Sequence, residues 1–515
     1  MRKLLTFCFF FAASPFLWAQ NIDNKFSDSV NNFFKPLVNF LDTVLFWDPI
    51  AALGINVGVK IPFIIIWLIF GALFFTLYFK FINFRGFKHA IELVMGKFDK
   101  DGHEGEISHF QAIATATAST VGLGNIAGVA VAITLGGPGA TFWLIIAGLL
   151  GMTTKFTECT LGVKYRRINP DNTVSGGPMY YLKDGLAKKG WAKTGKFLSI
   201  MFAVFATIGA FGIGNMFQSN QVVAQAVSTF PVLNGYQIWL GIIIAVLVGI
   251  VIIGGIKGIA RVNDKLFPIM ALLYLFSALV VIIINYKHII PAFGLIIDGA
   301  FNADAAKGGF LGVMIIGFRR AAFSNEAGIG SAAIAHSTVK TQKPVTEGFV
   351  ALLEPFIDTV VICTMTALVI IVTGMYNNPA NLTGADLTSA AFSTVADWFP
   401  YLLLPTIILF AYTTLISWSY YGVKSFDYLV GNVCEKHLGN RIYATRFYQI
   451  IFLIVTAIGS VLSLNSLVDF SDMLILCMAL PNIIGLLVLA PEVKSELNEY
   501  MEWIKKERIE LKSKK

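Results

Sequence analysis

Two stretches of the chain combine glycines with small polar side chains in a pattern suited to holding a small charged molecule. The first reads Ser119-Thr120-Val121-Gly122-Leu123-Gly124-Asn125-Ile126-Ala127-Gly128, the second Phe323-Ser324-Asn325-Glu326-Ala327-Gly328-Ile329-Gly330-Ser331. Both sit in weakly apolar runs. In a membrane, backbone groups must be bonded within the helix unless protein or a cavity replaces the lost partners. A glycine-rich helix centre is therefore expected to unwind. Half-helix N-termini then offer N–H groups and a positive dipole end to a carboxylate, while freed carbonyls hold a cation or an ammonium. An amino acid supplies both charges, so Gly122, Gly124, Asn125, Phe323, Gly328 and Gly330 are candidate substrate-binding residues.

Close helix packing competes with this reading, because Gly124 and Gly128 also form a small-xxx-small pattern. For that pair alone packing is favoured, and the recurrence beside Ser, Asn and Glu in a second span reverses the preference. A dinucleotide loop has the wrong spacing and lacks a preceding strand. A third segment, Phe211 to Asn220, places the amides of Asn215 and Gln218 on an apolar span. They orient a substrate or bond helix to helix, with little to choose between the two.

Charged residues within spans are Glu158, Arg319, Arg320, Glu326, Glu354 and Asp358, and such groups usually face the bundle interior. Arg319 and Arg320 either pair with Glu326 or Glu354 as a gate or snorkel near a span end. Thr359, Thr413, Thr414 and Ser417 offer hydroxyls that suit a hard cation such as sodium. Thr and Ser also satisfy themselves on helix carbonyls. The six histidines make no metal spacing, and no HExxH, P-loop or CxxC pattern is present, so nothing supports an enzyme.

Membrane helices must position these residues. The chain has 515 residues, 56% hydrophobic and 14% charged, against about 25% charged in soluble proteins. Continuous apolar runs argue for helices rather than a barrel. The expected spans are 59–80, 108–134, 139–162, 197–227, 236–254, 262–285, 308–335, 347–374, 399–422, 447–465 and 472–490. Lys and Arg cluster in alternate connections, from Lys80, Arg85 and Lys88 to the tail Lys494 to Lys515, and that set faces the cytoplasm. The net charge of +8 is thus topological and does not point to nucleic acid. The five cysteines show no paired spacing.

The start Met1-Arg2-Lys3, the apolar stretch after Leu4 and the ending Trp18-Ala19-Gln20 have the features of a secretory signal, with an uncleaved anchor as the alternative. The expected organisation is a signal peptide at 1–19, an extracytoplasmic segment at 20–58 and an extra leading helix at 59–80. A transport core at 108–490 and a basic cytoplasmic tail at 491–515 complete it. The two glycine-rich spans lie an odd number of spans apart and so enter the membrane in opposite directions. Paired interrupted helices in inverted halves point to a transporter's central site.

These residues resemble the alanine or glycine:cation symporters, relatives of the leucine-transporter fold. The matching stretches are Gly105 to Gln111, Gly122 to Ala130, Gly136 to Ala140, Gly176 to Tyr181, Phe211 to Gln218, Phe323 to Ser331 and Trp418 to Gly422. The resemblance implies an all-α polytopic membrane protein with a five-plus-five inverted repeat made from the second to eleventh spans, plus the leading helix. It implies alanine or glycine as substrate, with sodium as the coupling ion, or protons in some members. Carried over, Gly122 to Asn125 bind the substrate carboxylate through backbone and a sodium through the Asn125 side chain. Thr413 and Thr414 sit where that fold holds a second sodium, and Gln218 and Trp418 line the pocket. The candidate sodium ligands are thus Val121, Asn125, Thr359, Thr413 and Thr414. The signal-like extension before Asn21 departs from the family pattern.

The expected partners are a small amino acid and the bilayer of a bacterial inner membrane, with neither nucleic acid nor an obligate protein partner. A channel and a membrane-bound amino-acid sensor remain as alternatives. Saturable sodium-dependent uptake rejects the first, and counterflow of labelled alanine argues against the second.

Overall fold

The structure is a computed structural model describing residues 28–29, 31–55, 57–98, 104–302, 309–377, 382, 384–396, 398–461 and 465–513. The expected signal segment lies outside the described residues. Each expected span coincides with a helix or a broken pair of helices. They are Phe63–Tyr78, the pair His109–Thr120 and Val129–Gly136, Ala140–Lys164, Ala192–Gly209 running on into Phe217–Thr229, Gln237–Ile252 and Gly255–Ile284. Gly309–Asn325 with Ala332–His336, Pro344–Pro355 running on into Thr364–Val372, Phe399–Leu438, Ile442–Gly459 and Asn465–Ser513 complete the set. Among the described residues seven segments are long and apolar enough to cross a membrane, and the first broken pair makes an eighth. The remaining spans fall short of that length because Phe63–Tyr78 and Gln237–Ile252 have 16 residues each and Gly309–Asn325 has 17. The molecule is an all-α multi-pass membrane protein. Its one small sheet pairs Arg167–Ile168 with Val174–Ser175 among the described residues.

Several helices lie outside the expected spans: one over residues 31–45, the amphipathic Phe87–Val94, and Ile289–Phe301 and Ala385–Ser393. Ile289–Phe301 comes so close to the Gly139 turn that a β-carbon on Gly139 would lie 2.1 Å from the Gly299 carbonyl carbon. Only glycine fits there.

The last helix continues unbroken through Pro491 to Ser513. Its far end packs back on the protein. Tyr165 donates to Glu492 at 2.7 Å, Lys164 pairs with Glu496 at 2.7 Å, and Tyr500 bonds His89 at 2.7 Å. Two large apolar clusters fill the interior, one around Phe75, Phe156, Tyr181 and Trp418, the other around Val121, Tyr274, Phe392 and Ile483.

Candidate functional site

The helix His109–Thr120 begins with a reciprocal capping box between Ser108 and Gln111. It stops at Val121, whose backbone is extended at φ −71 and ψ 92. The Gly122 N–H, left without a helical acceptor, donates to Asn125 Oδ1 at 2.9 Å. One wide turn, Gly124–Gly128, intervenes before the helix resumes as Val129–Gly136, bent by 53° from the first half. Wide turns of this kind mark functional breaks in helices. A β-carbon on Gly124 would meet only the Phe323 carbonyl, at 3.9 Å, and one on Gly128 would meet nothing within 4 Å. These two glycines are not packed against a helix. They line a cavity.

The second break runs from Glu326 to Ser331. Glu326, Gly328 and Gly330 take left-handed φ values of 55, 93 and 91, and the helix resumes at Ala332–His336. Protein groups occupy the peptide of Gly328: its N–H donates to Glu158 Oε1 at 2.8 Å, and its carbonyl accepts from Asn482 Nδ2 at 2.8 Å. Tyr181 donates to Asn482 and Ser331 donates to Glu326. A β-carbon on Gly330 would lie 2.7 Å from Pro178. The two glycines face a packed interior, whereas Phe323, before the break, lines the cavity with Gly124.

A fully buried carboxylate, Asp358, joins the first break to Ser324, on the last turn of the helix before the second break. It sits on the wide turn Phe356–Cys363. Asn125 Nδ2 donates to its Oδ1 at 2.7 Å, and Ser324 and Thr359 hydroxyls donate to its Oδ2 at 2.5 and 2.7 Å. Asn325 Nδ2 donates to Thr359 Oγ1 at 2.9 Å, and Asn125 also reaches Cys363 Sγ at 3.3 Å. Asp358 makes no ion pair with a basic side chain among the described residues. An isolated buried anion is costly unless a cation or proton joins it, so this oxygen-rich cluster has the donor chemistry of a site for a hard monovalent cation.

A family model, the sodium:alanine symporter family, matches residues 51–514. The chain belongs to the sodium:alanine symporter family. It is similar to the sodium/alanine symporter AgcS of Methanococcus maripaludis, 40% identical over 452 residues covering 87% of this chain and 96% of AgcS. It is also similar to the probable sodium/glutamine symporter GlnT of Bacillus subtilis, at 34% identity over 85% of this chain and 87% of GlnT. Among solved structures, MhsT in complex with L-phenylalanine aligns with a TM-score of 0.47 at 14% identity, covering 76% of this chain and 100% of MhsT. A likeness of that degree says nothing about substrate or ion. The family is one of transporters, and on that ground the chain is not an enzyme.

In this symporter-family chain the other candidate residues fall into two groups. Gln218 and Thr414 stand beside the first break, since a β-carbon on Gly122 would lie 3.0 Å from Thr414 Oγ1 and 3.6 Å from the Gln218 amide. Gln218 Oε1 is buried without a hydrogen-bond partner, while its Nε2 donates to the Ile213 carbonyl at 3.0 Å. Thr414 donates to the Ala118 carbonyl at 3.2 Å and Thr413 to Leu409 and Phe410 carbonyls at 3.0 and 3.1 Å. Val121 is fully buried. Asn215 and Trp418 are set back from the cavity. Asn215 Nδ2 donates to the Phe452 carbonyl at 2.8 Å, and Trp418 lies so close to Gly214 that a β-carbon there would be 2.4 Å from its ring.

A second buried network was not legible in the sequence. Lys155 pairs with Glu354 at 2.9 Å, His336 lies 3.8 Å beyond on Glu354 and 2.9 Å from Glu347, and His109 bonds Glu347 at 2.6 Å. It ties four helices together. Neither arginine pairs with Glu326 or Glu354: Arg319 stacks over the Phe46 ring at 4.7 Å and Arg320 lines the cavity. On the far side of both breaks from that cavity, Arg166 donates to the carbonyls of Glu104, Ser337, Val339 and Thr341. Backbone bonds from Glu106 to Thr338 (2.7 Å) and Lys340 to Ile107 (2.8 Å) close the same seam.

Proposed function

We propose that the protein imports a small neutral amino acid, alanine or glycine, by coupling it to sodium through alternating access across a bacterial inner membrane. The substrate lies at the first break, where Gly122, Gly124 and Gln218 meet and Phe323 forms the wall. Its carboxylate takes the peptide side of the break and its ammonium the free Gln218 oxygen. Sodium lies within reach of Asn125, Ser324, Asp358 and Thr359, with Val121, Thr413 and Thr414 available for a second ion.

The single observation that carries this reading is the Asn125 side chain, which links the peptide of one break to a buried carboxylate bonded to Ser324, at the end of the helix leading into the other. Filling the cation cluster and ordering the substrate's break are then one event, which is what coupling requires. A cavity on one side of the breaks and a closed seam on the other support a state open to one side. Family membership supports amino-acid:cation symport, and the five-plus-five repeat, the cytoplasmic C-terminus and the signal at 1–19 belong to the same proposal.

The test is uptake into proteoliposomes under an imposed sodium gradient, with alanine, glycine, glutamine and leucine as solutes. Saturable, sodium-driven accumulation of alanine or glycine is expected, and Asp358→Asn abolishes the sodium dependence. Accumulation driven equally by a proton gradient in sodium-free buffer sinks the sodium assignment. Flux that does not saturate favours a channel.

A further inference from the structure

Away from both breaks, a cavity of about 360 Å³ opens between the hairpin Arg167–Ile168 and Val174–Ser175, the first turns of the helix Ala192–Gly209 and the far end of Phe399–Leu438. Four cations line it, Arg167, Lys183, Lys196 and Arg441, and no carboxylate does among the described residues. The two arginines are neutralised from outside the lining, Arg167 by Asp184 at 2.7 Å and Arg441 by Asp427 at 2.9 Å. Lys183 and Lys196 differ from them, since among the described residues no hydrogen bond or ion pair engages either ammonium. The Tyr180 and Tyr428 rings, packed edge to face with centroids 5.4 Å apart, complete the walls, and Tyr428 is held by Ser199 at 2.9 Å.

The helix Ala192–Gly209 also gives this cavity an apolar side. Ile200 lines it one turn beyond Lys196, and Phe197, Ile200, Val204 and Ile208 are all exposed and recur at three- and four-residue steps on one face. At 1.5 Å per residue that strip runs about 16 Å, close to half of the roughly 30 Å hydrocarbon thickness of a bilayer. Unneutralised cations at the end of an apolar strip one leaflet long match a molecule with an anionic head and a hydrocarbon tail. A soluble anion would engage the lysines and leave the strip unused. A second copy of this chain packed by the same face would bring its own cations against these. We propose that this cavity binds the headgroup of an anionic phospholipid, with the phosphate on Lys183 and Lys196 and an acyl chain along Phe197, Ile200, Val204 and Ile208.

A ligand that binds only the folded chain stabilises it. The experiment is therefore thermal unfolding of the purified, delipidated full-length protein in detergent, titrated with phosphatidylglycerol, phosphatidylcholine or glycerol 3-phosphate, with native mass spectrometry counting the lipids retained. Phosphatidylglycerol is expected to raise the unfolding temperature saturably and to be retained at one per chain, and the other two to have much smaller effects. Lys183→Gln combined with Lys196→Gln is expected to raise the phosphatidylglycerol concentration for the half-maximal shift by about 25-fold, about fivefold for each lysine. Lys183→Arg with Lys196→Arg keeps the shift, and so does Lys505→Gln with Lys506→Gln in the exposed tail. An equal shift from phosphatidylcholine overturns the proposal, as does a double glutamine variant that responds at the wild-type concentration. An equal shift from glycerol 3-phosphate overturns it in favour of a soluble anion, and dimers that carry no lipid overturn it in favour of a second copy. Should the double glutamine variant unfold early without lipid, the retained count decides, and phosphatidylglycerol held at the wild-type number overturns the proposal.

Discussion

Asn125 bears on function because its two ends do different jobs. Its oxygen holds the Gly122 peptide that helix geometry has abandoned, and its nitrogen faces the Asp358 carboxylate. Truncating one partner of a buried hydrogen bond costs about 1–3 kcal/mol, and 1.4 kcal/mol is about tenfold in affinity. Asn125→Ala is therefore expected to raise the sodium concentration for half-maximal alanine uptake by about tenfold or more, lowering transport with it while the protein still inserts. A sodium titration of uptake checks this. Unchanged sodium affinity with wild-type uptake would remove Asn125 from the site.

Glycines that look alike in the sequence serve different ends in the helices. Gly330 takes a left-handed φ of 91 against Pro178, and a side chain in such a conformation costs about 1–3 kcal/mol before any clash. Gly330→Ala is expected to destabilise the protein by at least that much. Gly128, with open space around it, sits in a right-handed turn where alanine is favoured over glycine by up to about 1 kcal/mol. Gly128→Ala should leave thermal unfolding in detergent unchanged or slightly raised, and raise the KM for alanine by narrowing the cavity. A large drop in stability from Gly128→Ala would restore the packing explanation for this glycine.

At the scale of the whole molecule, the Lys155–Glu354–His336–Glu347–His109 network runs through the helices that carry both breaks. It ties those helices to one another. Removing one member leaves an unpaired buried charge, at about 3–5 kcal/mol, whereas replacing a whole pair by apolar groups is often neutral. Lys155→Met is expected to lower thermal stability sharply, and Lys155→Met with Glu354→Leu to recover most of the loss. Thermal unfolding of the two variants side by side measures the difference. Equal losses in the single and double variants would mean that Glu354 has a further role the network does not describe.

The sequence alone determined the apolar spans, the two glycine-rich breaks in them and which residues lie on those breaks. Apolar run length sets where a helix can cross, and clustered glycines inside such a run set where it unwinds, both local properties of a few consecutive residues. Gly122 to Asn125 and Phe323 to Gly330 were legible for that reason. Only the tertiary structure decided what meets those breaks. Glu158 and Asn482 fill the Gly328 peptide from 170 and 154 positions away, and Asp358 reaches Asn125 across 233. Buried polar groups must find partners, but which partner is set by how helices pack, and no short stretch of sequence records that. The same holds for Gly128, whose spacing fits a packed interface and whose surroundings turn out to be open.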